Sequence, residues 1–380
     1  MQITDIKVTR FTWPNNVTSD ADGHAHPGPE KMSKGALLQV LTDEGVTGEV
    51  VAPGADASVI AEFILPRLVG QDPLRIQALW QKMYMAQRGS GGRLTDRIIA
   101  GVDQALWDLK GKAAGMPVWK MLGGYRDRIP AYGSTMCGDD IAGGLSTPAE
   151  YAEFALKLRA RGYPAIKLHT WMPPLPGAPS VARDLEACAA VREAVGPDVP
   201  LMLDPDHYYT RHEAIRLGQG LQALGFTWME EPMEEASVAS YRALKDACPS
   251  LDIVGPESAA GKHWTRAEWV LAGAADRLRA GVWGVGGITP TLKICHLAES
   301  FGMLCEMHGT GAGNLAVACA VPNTTYYERG LLHPMIDYEV PRAYQTRLED
   351  PMDSGGFVRP SSEPGLGLGL DYDWIAAHPD

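Results

Sequence analysis

The amino-acid sequence predicts an α/β protein in which a parallel β/α barrel follows an α+β N-terminal unit. Two observations carry this. Beyond residue 125, short apolar runs alternate with helical stretches, and the residues closing the runs recur at steps of 26 (Asp204 to Glu230), 27 (to Glu257), 24 (to Gly281) and 27 (to His308). A repeat of that size, with one strand and one helix per unit, is parallel βα construction. Ahead of it, three strand-like runs precede helical patterns, as in an α+β layer.

In chain order, the first strand alternates around Ile6 and Val8. The second covers residues 36–41 and the third residues 46–51, with Thr42-Asp43-Glu44-Gly45 between them as a hairpin turn. Residues 15–34, rich in Gly, Pro, Asp and His, are expected to form a long polar loop, and loops of that length are usually lids or disordered. His24, His26 and Lys31 are its candidate ligand contacts, set against the commoner reading of solvated loop side chains. A helix is expected to start at Thr95 as N-cap, with Ile98, Ile99, Val102, Ala105, Leu106 and Leu109 on one face and Gly115 and Pro117 as its stop. The expected domains are a first unit over residues 1–125, the barrel over 126–345, and a Gly-rich tail over 346–380 that returns to the first unit.

Composition narrows the function. The chain is 45% hydrophobic and 21% charged, which excludes disorder and fibrous repeats. With 34 Lys+Arg against 46 Asp+Glu, the net charge of −12 repels phosphate backbones and anionic lipid. Nucleic-acid and membrane partners are therefore not expected, whereas divalent cations are. The 6 cysteines show no close metal or redox spacing and read as reduced thiols. Neither a signal peptide nor an apolar span of about 18 residues is evident, so a cytoplasmic protein is expected.

Chemistry is expected where the apolar runs end, since a β/α barrel carries its site at the C-terminal ends of its strands. Asp204, Glu230 and Glu257 close three successive runs and would converge above the barrel. Hard oxygen donors without His or Cys select Mg²⁺, with Mn²⁺ as a substitute. A lone carboxylate at a strand end reads equally well as a helix cap or ion-pair partner; three in register do not.

At this point the chain resembles the mandelate racemase/muconate-lactonising branch of the enolase superfamily. The stretch from Val102-Asp103-Gln104-Ala105-Leu106-Trp107-Asp108 to Lys112, followed by Met121-Leu122-Gly123-Gly124, is similar to one signature of that family. Leu203-Asp204 through Ala214 and Leu221 to Met229-Glu230-Glu231-Pro232 is similar to another, and Gly286-Gly287-Ile288 and Tyr327-Glu328 extend the likeness over the whole chain. The resemblance implies a modified (β/α)7β barrel of the TIM type, capped by a domain made of the N-terminal region and the C-terminal tail. It implies Asp204, Glu230 and Glu257 as Mg²⁺ ligands, the first Glu of Glu230-Glu231 taking the ligand place. It further implies a small-molecule carboxylate substrate and a homo-oligomer, dimer or octamer.

Family members remove a proton beside a carboxylate, with a Lys or His base and Mg²⁺ opposite the charge that develops. Lys167 stands where the family places Lys-x-Lys, but here the motif reads Lys167-Leu168-His169. His169, two residues on, lies on the same side of the strand and is a candidate for one face of the substrate. A histidine merely hydrogen-bonded at the barrel rim is the equal alternative. His308 matches the family's seventh-strand histidine, but Gly281 occupies the place of its usual aspartate partner, and Glu306 is a candidate replacement. Glu328 matches a substrate-contacting glutamate. Asp206 is a departure from the family's usual Asn, or sometimes His, and is expected to pair with Lys167 or His169, or to meet a substrate hydroxyl. His333 reads as an ordinary surface or packing residue.

A racemase needs bases on both faces, and the absent aspartate weakens one. A dehydratase needs one base and one acid, which His169 (with Lys167) and His308 suit. Dehydration of a sugar acid to a 2-keto-3-deoxy acid is therefore the leading expectation. Racemisation, epimerisation or lactone cycloisomerisation come next, and a catalytically silent barrel that binds metal and acid is the reading of another class.

Overall fold

The computed structural model describes residues 1–52 and 54–380. Strands β1 (Ile3–Ser19), β2 (Ala25–Thr42) and β3 (Gly48–Val51) form an antiparallel sheet in that order, with the turn after Thr42 where expected. The expected loop over residues 15–34 is instead the far half of the β1–β2 hairpin, paired out to Ser19 and Ala25. Its polar, Pro-containing composition disguised it. Beyond the reach of β3, both strands are edges with little apolar surface to cover, and edges tolerate proline and charge.

The helix Asp96–Ala114 begins with Thr95 Oγ1 accepting the Ile98 N–H and ends at Gly115 in the left-handed region (φ 62°). One side covers β2 and β3; the other meets the barrel. There Asp103 accepts the Thr289 N–H (3.0 Å), and Trp107 Nε1 donates to Thr289 Oγ1 (3.0 Å). Gly287 makes this approach feasible, since its Cβ would lie 2.5 Å from Asp103 Cβ.

The barrel comprises β4 (Ile129–Thr135), β5 (Ala165–Leu168), β6 (Leu201–Leu203), β7 (Trp228–Glu230), β8 (Asp252–Val254), β9 (Arg277–Ala280), β10 (Leu304–Met307) and β11 (Tyr327–Leu332). All are parallel and adjacent in sequence order, and β11 returns beside β4. A helix separates each successive pair, giving the (β/α)7β form. Between β10 and β11 the Cys305 N–H donates to the Asn323 carbonyl, and Glu306 accepts from Thr324 and Thr325 and pairs with Arg277. Glu306 thus serves the barrel wall and is not the partner of His308. In the tail, β12 (Phe357–Val358) pairs antiparallel with the start of β4, the Val118 N–H donates to the Gly365 carbonyl, and Trp374 Nε1 donates to the Thr12 carbonyl.

Strand alternation sorts the barrel interior into layers. Tyr132, Ala165, Met202, Trp228 and Val254 form an apolar layer. Two residues further along their strands stand Lys167, Asp204 and Glu230, all buried. The charged layer lies on top of the apolar one. Among the described residues all six cysteines are free and buried, and no helix is long and apolar enough to cross a membrane.

Candidate active site

The charged layer is held by two permanent cations. Lys167 Nζ lies 2.8 Å from Asp204 Oδ2, 3.1 Å from Glu230 Oε2 and 3.1 Å from Glu328 Oε1. Burial alone would lower the ammonium pKa, but these carboxylates outweigh it and hold it well above the ordinary value. Arg279, on β9, is the second cation. Its Nε lies 2.5 Å from Glu230 Oε1 and its Nη2 2.8 Å from Glu328 Oε2, while Nη1 donates to the Met307 carbonyl (2.8 Å). Sequence reasoning missed Arg279. The available signal was its parity with Arg277, two charges pointing inward from one short apolar strand.

Asp204, Glu231 and Glu257 bring carboxylate oxygens within 4.8 Å of one another. Glu230, the expected ligand, stands one residue deeper, its two carboxylate oxygens turned to Lys167 and Arg279. Glu231 would point away if β7 simply continued. The chain instead turns there into the left-handed region (φ 24°), which directs its side chain to the cluster. Burial and the neighbouring Glu257 and Asp204 carboxylates raise Glu231 well above the usual range, and burial raises Glu230 likewise.

Five carboxylates (Asp204, Glu230, Glu231, Glu257, Glu328) thus surround two permanent cations, an excess of three negative charges when all five are ionised. An all-oxygen donor set with that excess fits a hard divalent cation.

The two imidazoles stand on opposite flanks of the cluster. His169, just beyond β5, is held through Nδ1 by the Thr135 carbonyl (2.8 Å), and its Nε2 lies 3.0 Å from Asp204 Oδ2. A carbonyl only accepts, so Nδ1 carries a proton and Nε2 is the nitrogen turned to the site. His308, just beyond β10, places Nε2 3.0 Å from Glu257 Oε1 with 43% of its side chain exposed. No aspartate could occupy position 281 without a backbone shift, because a Cβ there would lie 2.5 Å from the His308 carbonyl oxygen. Glu328 is engaged by Lys167, Arg279 and the Gly309 N–H (2.6 Å).

Asp206 meets neither Lys167 nor His169. It pairs with His24 Nε2 (2.7 Å), which brings the β1–β2 hairpin tip to the barrel mouth, and with His207 Nδ1 (3.0 Å). His26 binds Asp20 within that tip, and the exposed Lys31 binds Thr18; the structure does not gather these two with the others. His333, read as a surface or packing residue, is buried and pairs with Asp139 (2.7 Å), joining the segments that follow β11 and β4.

A crystal structure of a D-glucarate dehydratase from Agrobacterium tumefaciens, complexed with magnesium, is 52% identical, has a TM-score of 0.98, and matches over 100% of this chain and 99% of that one. A D-mannonate dehydratase of Caulobacter vibrioides is 30% identical over 90% of each chain, and a D-galactarolactone cycloisomerase of Agrobacterium fabrum is 31% identical over 89% of each. Family models for the mandelate racemase/muconate lactonizing enzyme N-terminal domain and for the enolase C-terminal domain-like fold match residues 25–123 and 150–374. The chain belongs to the mandelate racemase/muconate-lactonising branch of the enolase superfamily. Its site carries His169 beside Lys167, Arg279 on β9, and Gly281 behind His308.

Proposed function

We propose that this chain is a Mg²⁺-dependent sugar-acid dehydratase that takes the proton α to a carboxylate, expels the β-hydroxyl and yields a 2-keto-3-deoxy acid. The observation that carries the reading is one imidazole on each flank of a carboxylate cluster, His169 from β5 and His308 from β10. Its dehydratase relatives support the sugar-acid class, and the 52% identical D-glucarate dehydratase makes an aldarate the first substrate to test.

Asp204 and Glu257, with Glu230 or Glu231, would hold the ion; Mn²⁺ would serve in place of Mg²⁺. When bound, it supplies positive charge opposite the substrate carboxylate and the negative charge that develops beside it. Lys167 and Arg279 add fixed cations beneath that point, each of the preorganised kind worth about 3–4 kcal/mol of barrier. His169 receives the α-proton at Nε2, the nitrogen its Thr135 hydrogen bond leaves free. His308 delivers a proton from Nε2 to the departing hydroxyl, and its exposure lets it recover one from solvent. Glu328 keeps Lys167 and Arg279 in place, and His24 with Asp206 closes the cleft toward the far end of the substrate.

The free, buried thiols among the described residues are in keeping with a cytoplasmic protein. Exposed Trp264, Leu271 and Phe301 are apolar surface of the kind a homo-oligomer would cover.

The test is incubation with D-glucarate and other aldarates and aldonates, with Mg²⁺ in D₂O. Keto-acid formation with α-deuterium exchange is the expected result. Interconversion of a lactone would instead favour cycloisomerisation, which the Agrobacterium fabrum relative supports, and exchange with inversion would favour a racemase. Absence of both exchange and product would leave a silent binding barrel.

A further inference from the structure

Of the carboxylates that could hold the ion, Glu257 is the least supported by the sheet. Glu230 lies within β7, and the Asp204 N–H still donates to the Leu168 carbonyl. Glu257 comes three residues after the end of β8, beyond its last inter-strand bond, from the Gly255 N–H to the Arg277 carbonyl. Its peptides must be fixed by something else, because buried backbone groups without partners are costly.

Two buried, oppositely charged side chains supply the partners. Glu235 Oε1 accepts the Glu257 N–H (2.6 Å), and its Oε2 accepts those of Ser258 (2.7 Å) and Ala259 (2.6 Å). On the carbonyl side, Arg266 Nη2 donates to Pro256 (3.0 Å) and Glu257 (2.7 Å), and Nη1 donates to Ala259 (2.7 Å). Glu235 is 4% and Arg266 1% exposed, so water does not compete for these bonds. The peptides of the segment lie between a carboxylate on their N–H side and a guanidinium on their C=O side. Each charge stands where the peptide dipoles favour it. The same segment also orients a second group of the cluster, since Ser258 Oγ donates to Glu231 Oε2 (3.2 Å).

We propose that Glu235 and Arg266 are paired positioning residues that hold the Glu257–Ser258 segment in the geometry needed to bind the divalent cation. The inference rests on the reading of Glu257 as an ion ligand. Neither residue touches the substrate cleft; both act through the backbone between them. A Gln at 235 would turn an N–H₂ toward at least one of these N–H donors and remove the negative charge. A Lys at 266 keeps the charge but cannot reach three carbonyls as a planar fork does.

The test is Mg²⁺ and Mn²⁺ binding to the full chain by calorimetry and by Mn²⁺ spin resonance, with thermal unfolding in EDTA alongside. Glu235→Gln and Arg266→Lys should each weaken Kd by about 10- to 100-fold, the range for residues that support metal ligands. Saturating Mg²⁺ should recover most of kcat. Glu235→Asp, which keeps the charge and only shortens the reach, should fall between and replaces Glu235→Gln should that variant not fold. Leu217→Ala, in the barrel's outer shell, controls for plain destabilisation and should lower Tm with Kd unchanged. Wild-type Kd in folded Glu235 and Arg266 variants overturns the proposal, as does an equal loss in Leu217→Ala. Glu257→Gln separates the two readings: undiminished ion binding there removes the ligand assignment itself, whatever the other variants do.

Discussion

His24 Nε2 lies 2.7 Å from Asp206 Oδ2, joining residues 182 positions apart and closing the tip of the first hairpin onto the barrel mouth. His24 contacts Asp20, Asp206 and Tyr208 and none of Lys167, His169 or His308, so its loss should loosen substrate more than it slows chemistry. His24→Ala is expected to raise KM several-fold with kcat within about threefold, on the reasoning that remote contacts contribute mainly to uniform binding. A fall in kcat at unchanged KM would place His24 in the proton-transfer machinery instead. The Asp206 hydrogen bond holds the His24 imidazole above its ordinary pKa. The charged link is therefore complete below that ordinary value and lost as pH rises through the raised one. KM should climb over that interval in the native enzyme and stay flat in His24→Ala.

Arg279 stabilises the site through ion pairs that burial makes indispensable. Removing one partner of a buried pair leaves the other charge unpaired, at about 3–5 kcal/mol. Arg279→Met should destabilise the metal-free protein toward that order in denaturant unfolding, as Glu328 and any ionised Glu230 are left to share Lys167. A cost below about 1 kcal/mol, the level of an exposed pair, would show those carboxylates already neutral or solvated.

Proton release on ion binding follows from the crowded carboxylates. Burial and like charge raise Glu230 and Glu231, so the ion-free site retains protons that a cation must displace. Mg²⁺ affinity should rise with pH by about tenfold per unit for each proton released, and calorimetry in buffers of different ionisation enthalpy counts them. In EDTA the sign reverses for stability. The folded chain holds protons that the unfolded one has lost, so Tm should fall as pH climbs above the ordinary carboxylate range. A pH-independent affinity would mean the cluster is already ionised.

Much of this was legible in the sequence, for identifiable reasons. The steps between Asp204, Glu230, Glu257, Gly281 and His308 encode one βα unit each, so the barrel could be read from spacing alone. Lys167 was visible through the family's Lys-x-Lys place, and strand parity put His169 on the same side. What stayed hidden depends on backbone that leaves regular structure. Glu231 reaches the cluster through a left-handed turn, and Glu235 acts on the Glu257 segment only after the chain has folded. The hairpin over residues 15–34 hid for a different cause, since two edge strands with little core to cover leave no apolar alternation.

At Gly287 packing rather than chemistry sets the limit. The residue is at φ 119°, and a Cβ would lie 2.5 Å from Asp103 Cβ. Gly287→Ala should force the helix Asp96–Ala114 away from the barrel, costing about 1–3 kcal/mol for strain and overpacking. Thermal unfolding measures it. A neutral result would mean that the cap shifts freely against the barrel, which the Asp103–Thr289 and Trp107–Thr289 hydrogen bonds oppose.

The division of labour between the two imidazoles gives the sharpest separation of outcomes. With His169 as base and His308 as acid, the proton is removed before the hydroxyl leaves. His308→Asn should then still exchange the α-proton for deuterium while keto-acid formation falls by about 10²–10⁴-fold, the usual range for a lost acid or base. His169→Asn should lose exchange and product together. The two assays, deuterium incorporation by NMR and keto-acid formation by absorbance, run on the same sample. Exchange surviving in His169→Asn and vanishing in His308→Asn would reverse the roles. Exchange surviving in both would pass proton abstraction to Lys167, whose contact with three carboxylates now holds it fully charged and unsuited to that task.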